Sequence, residues 1–458
     1  MHLPDGESMH EKLEPMTRRK FIKTSGTVAA GTLLASSTSK GRPPNKRRVA
    51  LVGTGIRGTG MWGRDLVRDY ADVVEFVGLC DINPGRLEYA KTYMGVSCPT
   101  YTDFGEMVRA GEPEIVIVAT VDSTHHEYII RAMDLGCDVV TEKPMTTDAE
   151  KCQAILDAQA RTGKDLIVTF NYRYSPHRQQ MKAFLMEGRI GRVTSVDFHW
   201  YLDVYHGADY FRRWHGKERY GGTLFVHKST HHFDLLNWWL ESEPEEVFAY
   251  GDLEYYGHNN EFRHTNCRGC PYQDRCGHYT DITRSERMMS LYVNNEHYDG
   301  YLRDGCVWSN EIDIYDKMAA QIRYANGVQV SYSCTTYSPY EGYRIAFNGT
   351  QGRLEAWVKE RQPWEREPYD EIRVTDNFGE SELIQVPHGG GGHGGGDRRL
   401  KDRIFRDTMQ PDPYRQAAGS RDGAMSILTG VAARESVKTG EPVRIASLTS
   451  LKPRIVRP

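Results

Sequence analysis

A chain of 458 residues with 39% hydrophobic side chains can bury a sizeable core and divide into two or three domains. Its formal net charge of -4, with basic and acidic residues interspersed, excludes the broad cationic field that binding along a nucleic acid requires. Nine cysteines are too few for a disulfide scaffold at this length, and Cys80, Cys98, Cys137, Cys152 and Cys334 sit scattered in apolar runs as small hydrophobes.

Near the start, Thr17-Arg18-Arg19-Lys20-Phe21-Ile22-Lys23 precedes a weakly apolar run of small residues from Thr24 to Ala35, then Ser36-Ser37-Thr38-Ser39. The adjacent arginines, with Phe and Lys at their places, resemble a twin-arginine export signal. The apolar run is far short of the roughly 20 residues that span a membrane. Residues 1–45 are therefore expected to be signal and linker, with the export machinery as a partner and the periplasm or beyond as destination. Export by that route implies a protein already folded, so any cofactor would travel tightly bound and be regenerated in place. That favours redox-neutral turnover.

Arg48 to Val52 reads as a buried strand that runs directly into Gly53-Thr54-Gly55-Ile56-Arg57-Gly58 and a predicted helix from Met61 to Tyr70. Gly53 permits the tight turn, Gly55 lets backbone approach a pyrophosphate, and Gly58 lets helix pack on strand. A second strand, Val74 to Cys80, ends at Asp81, placed to accept both ribose hydroxyls and to repel a 2′-phosphate, so the spacing predicts NAD rather than NADP. Strands Ile115 to Ala119, Asp138 to Thr141 and Leu166 to Phe170 alternate with helices His126 to Leu135 and Thr147 to Thr162, which gives a doubly wound parallel sheet over residues 46–172. Its strand ends carry Asp81, Thr120, Asp122, His125, Glu142, Lys143, Asn171 and Arg173, where ligand is expected.

These residues, with Gly221-Gly222 and His231-His232-Phe233-Asp234, resemble the glucose-fructose oxidoreductase and inositol dehydrogenase family known as Gfo/Idh/MocA. The likeness in organisation runs through nearly all of 47–458. It implies an α/β fold, with a Rossmann domain followed by a substrate domain built on a large, mostly antiparallel open sheet, through which copies of the chain pair. It also places Lys143 beside the nicotinamide and the reacting hydroxyl. The family pattern has an acid followed four residues later by a histidine; His231 matches the histidine, whereas His227 stands in the acid's place and Lys228 adds a charge. With a natural pKa near neutrality, His231 is the expected base. His227 and His231 should share one face of a helix running through Trp239.

Residues 173–458 open with a predicted helix, Ser175 to Glu187, and continue with strands Val193 to Leu202, Met318 to Tyr324 and Val328 to Tyr332. Tyr205, His206, Arg213 and Trp214 mix aromatic faces with hydrogen-bonding groups, as a sugar ring requires, and Lys228 and His232 complete the expected substrate contacts. In a cysteine-rich insertion at about 255–310, Cys267, Cys270, Cys276 and Cys306 could close a structural zinc site, form two disulfides or hold an iron–sulfur cluster. His388 to Gly396 is nearly all glycine, either a linker or a cover for ligand, and helices Arg398 to Met409 and Gly419 to Lys438 should pack back on the first domain. The expected activity is hydride transfer to or from a secondary hydroxyl of a sugar or glycoside. Two alternatives stand beside it: redox-assisted glycoside hydrolysis by oxidation at C3, elimination and hydride return, and sugar binding with a vestigial cofactor.

Overall fold

Six short strands, mostly apolar and buried, form the first sheet. They are β1 (Arg47–Val52), β2 (Val74–Cys80), β3 (Thr100–Tyr101), β4 (Ile115–Val118), β5 (Asp138–Thr141) and β6 (Leu166–Val168). In the computed structural model, which describes residues 46–457, they lie in the order β3-β2-β1-β4-β5-β6 and every pair is parallel. That is the doubly wound order whose chain reversal between β1 and β4 opens a crevice at the strand tips. The expected export signal lies outside the described residues, among which no helix is long and apolar enough to cross a membrane.

Helix starts follow local chemistry. Asn83, Asp103 and Asp148 each accept a backbone N–H at the head of helices Pro84–Met94, Phe104–Gly111 and Ala149–Thr162. The sequence reading passes over the first two helices: the segment from Pro84 to Met94 has almost no apolar face, and Phe104–Gly111 has one but is only 8 residues long. The helix predicted from Met61 to Tyr70 differs as well. It opens as a π-helical turn, Gly58–Arg64, before a single α-helical turn, Asp65–Asp69.

The second sheet has nine strands: β7 (Val193–Asp203), β8 (Pro244–Asp252), β9 (Lys317–Tyr324), β10 (Gln329–Ser338), β11 (Glu341–Gly349), β12 (Gly352–Arg361), β13 (Tyr369–Asp376), β14 (Ser381–Pro387) and β15 (Val443–Arg444). They run β14-β13-β12-β11-β7-β10-β9-β8-β15, antiparallel except for the β7–β10 pair. Strict alternation of buried and exposed residues along β9 shows that one face is covered. Helix Ser229–Leu240, buried at every position, and the largely buried Ser420–Thr439 supply that cover. The latter also reaches the first sheet, where Val168 N–H bonds the carbonyl of Ala418 just ahead of it.

One expectation fails here. His227 and His231 do not share a helix: a four-residue turn, Leu224–His227, ends at Lys228, and Ser229–Leu240 begins afresh. Each imidazole is therefore placed independently.

Arg173 joins the two sheets. Its guanidinium bonds Asp234 through Nε (2.8 Å) and Nη2 (2.5 Å), and Nη2 also reaches Asp422 at 2.8 Å. Both Arg173 and Asp234 are 1% exposed. Removing one member strands the other charge in a low-dielectric interior, typically at a cost of about 3–5 kcal/mol. Asp234→Ala should lower stability to chemical denaturation by about that amount, whereas Glu245→Ala, which breaks the half-exposed pair with Arg323, should cost under about 1 kcal/mol.

Candidate active site

The glycine turn is wound as tightly as its sequence implies. Gly53 has φ +92°, and a Cβ there would lie 2.5 Å from the carbonyl group of Ala119; on Gly58 it would lie 2.0 Å from the carbonyl oxygen of Gly53. Only glycine fits either place. Asp81, at the tip of β2, accepts from both the backbone N–H (2.7 Å) and the hydroxyl (3.0 Å) of Thr54, and its other oxygen meets Arg86 at 3.1 Å. Arg86 is shared with Asp299 at 2.5 Å, so two carboxylates flank one cation. This cradle fits a dinucleotide with an unphosphorylated ribose: a side-chain-free glycine turn past β1 that a pyrophosphate can approach and surplus negative charge beside Asp81.

Glu142 connects cradle and chemistry. Buried at the tip of β5, it accepts from Arg57 Nε and Trp62 Nε1, both at 2.7 Å, and so fixes the backbone from which Lys143 projects. Arg57 also lies 3.5 Å from Asp397, which accepts from Asn171 Nδ2 at 2.5 Å and pairs with His393 at 3.0 Å. The glycine-rich run is thus folded against the strand tips, with the His393 ring 5.6 Å from that of Tyr172.

Lys143 meets the second domain directly. Its Nζ lies 3.4 Å from His227 Nε2 and donates to the His227 carbonyl at 3.1 Å, while His227 Nδ1 lies 2.5 Å from Asp122 Oδ2. The consistent assignment is a chain in which Lys143 donates to Nε2 and Nδ1–H donates to Asp122. Asp122, from the turn after β4, thereby supplies the carboxylate that the sequence lacks at position 227. Burial drives all three toward neutrality: the Asp122 carboxyl goes up, the His227 imidazole falls well below its ordinary range, and the Lys143 ammonium drops to about 8, held from falling further by the charge of Asp122.

His231 stacks on Tyr172, ring centroids 4.0 Å apart, and its Nδ1 is buried with no hydrogen-bond partner. Burial, with Lys143 and Lys228 nearby, holds its pKa well below the ordinary value. Lys228 donates to the Tyr172 hydroxyl at 3.0 Å; burial opposes its charge, but Tyr172, Tyr210, Glu341 and Glu360 outweigh that and push its pKa up.

The remaining expected residues divide. His206 bridges Glu341 (2.7 Å) and the Tyr210 hydroxyl (3.1 Å), and Tyr210 in turn lies edge-on to His227 at 5.2 Å. Trp214 stacks on His215, which faces His227 at 4.2 Å. Arg213 is held by Asp209 at 3.0 Å. These side chains gather around His227 from helix Val204–Arg212 and the short turn after it. Tyr205, by contrast, is 68% exposed beneath Arg361. His232 bonds Tyr332 at 2.7 Å and stacks on Trp200 inside the core, and Arg173 spends its donors on Asp234, Asp422 and backbone carbonyls. The ring nitrogens of His125 face the carbonyls of Pro144 (2.8 Å) and Thr120 (3.2 Å), and the Thr120 hydroxyl accepts from Thr124. Tyr172, Tyr210, His215 and Asp397 complete the site, although none of them stood among the expected site residues.

Cys267, Cys270, Cys276 and Cys306 do come together, lining one cavity with Arg212 and Trp308. All four are free thiols, and among the described residues no group of three or more His, Cys, Asp or Glu side chains is set to hold a metal ion. The zinc expectation therefore finds no support. The other five cysteines are buried, as small hydrophobes should be.

Comparison with known proteins places this arrangement. Residues 47–170 match the model of an oxidoreductase family's NAD-binding Rossmann fold, and residues 182–445 match that family's C-terminal alpha/beta domain. The chain is 37% identical over 431 residues to YteT of Bacillus subtilis (strain 168), which carries an oxidoreductase name, covering 89% of this chain and 99% of the relative. It is 26% identical over 201 residues to an inositol 2-dehydrogenase/D-chiro-inositol 3-dehydrogenase of Lactiplantibacillus plantarum, covering 44% of this chain and 54% of that one. A levoglucosan dehydrogenase solved with NADH and levoglucosan shares the fold at TM-score 0.64 and 20% identity, over 88% of this chain and all of that one (100%). The chain belongs to the Gfo/Idh/MocA family of NAD-binding oxidoreductases.

Proposed function

We propose that this protein is an exported oxidoreductase that carries NAD with it and moves hydride to or from a secondary carbinol of a sugar, glycoside or cyclic polyol. One observation carries the reading: the Lys143–His227–Asp122 chain stands at the strand tips beside the glycine cradle. The substrate class is supported by the Trp214 ring stacked on His215 with Tyr210 edge-on to it, aromatic surfaces that suit the apolar faces of a sugar, and by relatives named for inositol and levoglucosan. Export is supported by the Arg18-Arg19 segment alone.

Bound NAD would supply the hydride acceptor. The protein's own part is to hold the hydroxyl and move its proton. Lys143 Nζ, with a pKa of about 8, takes that proton as the neutral amine, and His227 relays it toward Asp122 Oδ2, a carboxyl that burial has made more basic. The sequence made His231 the base, but its surroundings favour another part. A proton on the sealed Nδ1 would lack a partner, and an imidazolium would face two lysines; His231 instead presents Nε2–H as a hydrogen-bond donor to the substrate oxygen.

Lys143→Ala should reduce kcat/KM about 10²–10⁴-fold in steady-state assays over a panel of sugars and inositols, with the fold intact by circular dichroism. Since the amine is populated only above its pKa, oxidation should rise through pH about 8 and level off, and the reverse reduction should fall over the same interval. Asp122→Asn removes the charge that holds the lysine up, so its limb should move to lower pH. A wild-type profile flat through pH 8, with a limb near that of free imidazole that disappears in His231→Gln, would return the base to His231.

A further inference from the structure

The insertion between β8 and β9 reaches across to the dinucleotide cradle. Tyr292 places its hydroxyl 2.9 Å from the backbone N–H of Ile56, accepting from it, and 3.3 Å from where a side chain on Gly55 would begin. Arg287 donates to the Ile56 carbonyl at 3.4 Å. Farther along, Asn83 Nδ2 bonds the Asn295 carbonyl at 2.9 Å, and Asp299 shares Arg86 Nη2 with Asp81. Helices Glu286–Leu291 and Val293–Tyr298 therefore lie over the glycine turn and the ribose-binding acid together.

Nothing about the glycine motif calls for this cover. The amide of Ile56 belongs to the turn that faces a pyrophosphate, and its partner here is a phenol, which accepts one hydrogen bond and still has a proton to give. Tyr292 is 6% exposed, and burial pushes its pKa up, so that proton stays on the oxygen. The segment is anchored from behind: Arg268 pairs with Glu296 at 2.6 Å and Asp304 at 3.1 Å beside the four cysteines.

We infer that residues 286–299 are a strap that retains the dinucleotide, with the Tyr292 hydroxyl donating to its pyrophosphate and Asp299 sharing Arg86 with the ribose-binding Asp81. The inference rests on the NAD reading above. It explains how an exported enzyme keeps a cofactor that its surroundings do not replace. A hydrogen bond from phenol to an anionic phosphate oxygen is charge-assisted, and its loss speeds release in proportion.

The test uses the full-length protein loaded with NAD. Release is followed after rapid dilution by chromatographic quantification of protein-bound nucleotide, in wild type, Tyr292→Phe and Asp299→Asn, with thermal unfolding of the nucleotide-free forms as a folding control. Tyr292→Phe should release NAD on the order of tenfold faster or more, and Asp299→Asn should also release it faster, with unfolding of the nucleotide-free form unchanged. Release from Tyr292→Phe that is unchanged or slower, while wild type binds NAD, would overturn the strap and leave the cofactor reading standing. A wild-type protein that binds no NAD at all would sink both.

Discussion

The buried contact between Arg173 and Asp234 is the constraint on which the site depends. It ties the chain just past β6 to the helix that carries His231, and through Asp422 to the long C-terminal helix. An ion pair with both side chains 1% exposed carries a desolvation cost that a loose geometry could not offset, so the two domains are held in one relative position. Lys143 comes from the first domain and His227 from the second; their 3.4 Å approach is meaningful only because that position is fixed. Glu142 does the same on a smaller scale, binding Arg57 and Trp62 with one oxygen and leaving the next residue pointed at His227.

Two lysines in one recess have opposite fates, and the difference is environmental. Lys143 faces an imidazole and a carboxyl already committed to that imidazole, so burial wins and the ammonium weakens to about 8. Lys228 is surrounded by hydroxyls and by Glu341 and Glu360, and keeps its charge. One can exchange a proton near neutrality; the other adds a fixed positive potential to the burial that already holds His231 and His232 well below the ordinary imidazole range.

What could be read from the chain alone was what depends on near neighbours. Gly53, Gly55 and Gly58 follow β1 directly, and Asp81 closes the next strand, so turn and acid were visible in consecutive residues. The substitution of His227 for an acid was visible too, but its remedy was not: Asp122 lies 105 positions earlier, and no local pattern pairs it with a histidine. The break at Lys228 was hidden because the stretch from Leu224 to Leu240 carries no proline or glycine to mark it. Tyr292, 236 positions from Ile56, sits in a segment whose cysteines drew attention away from its aromatic residues.

The cysteine-rich segment leaves the second sheet at the end of β8 and returns at the start of β9, and those ends are cross-strand partners, Asp252 opposite Lys317. In topological terms it is an oversized hairpin loop. The entropy of closing a loop grows only with the logarithm of its length, so the scaffold tolerates a long excursion here almost as well as a short turn. Strand order, register and the domain-joining ion pair would all survive a change of length at this point. Cofactor custody is thus written into an interchangeable module, while the chemistry stays with the frame that hosts it.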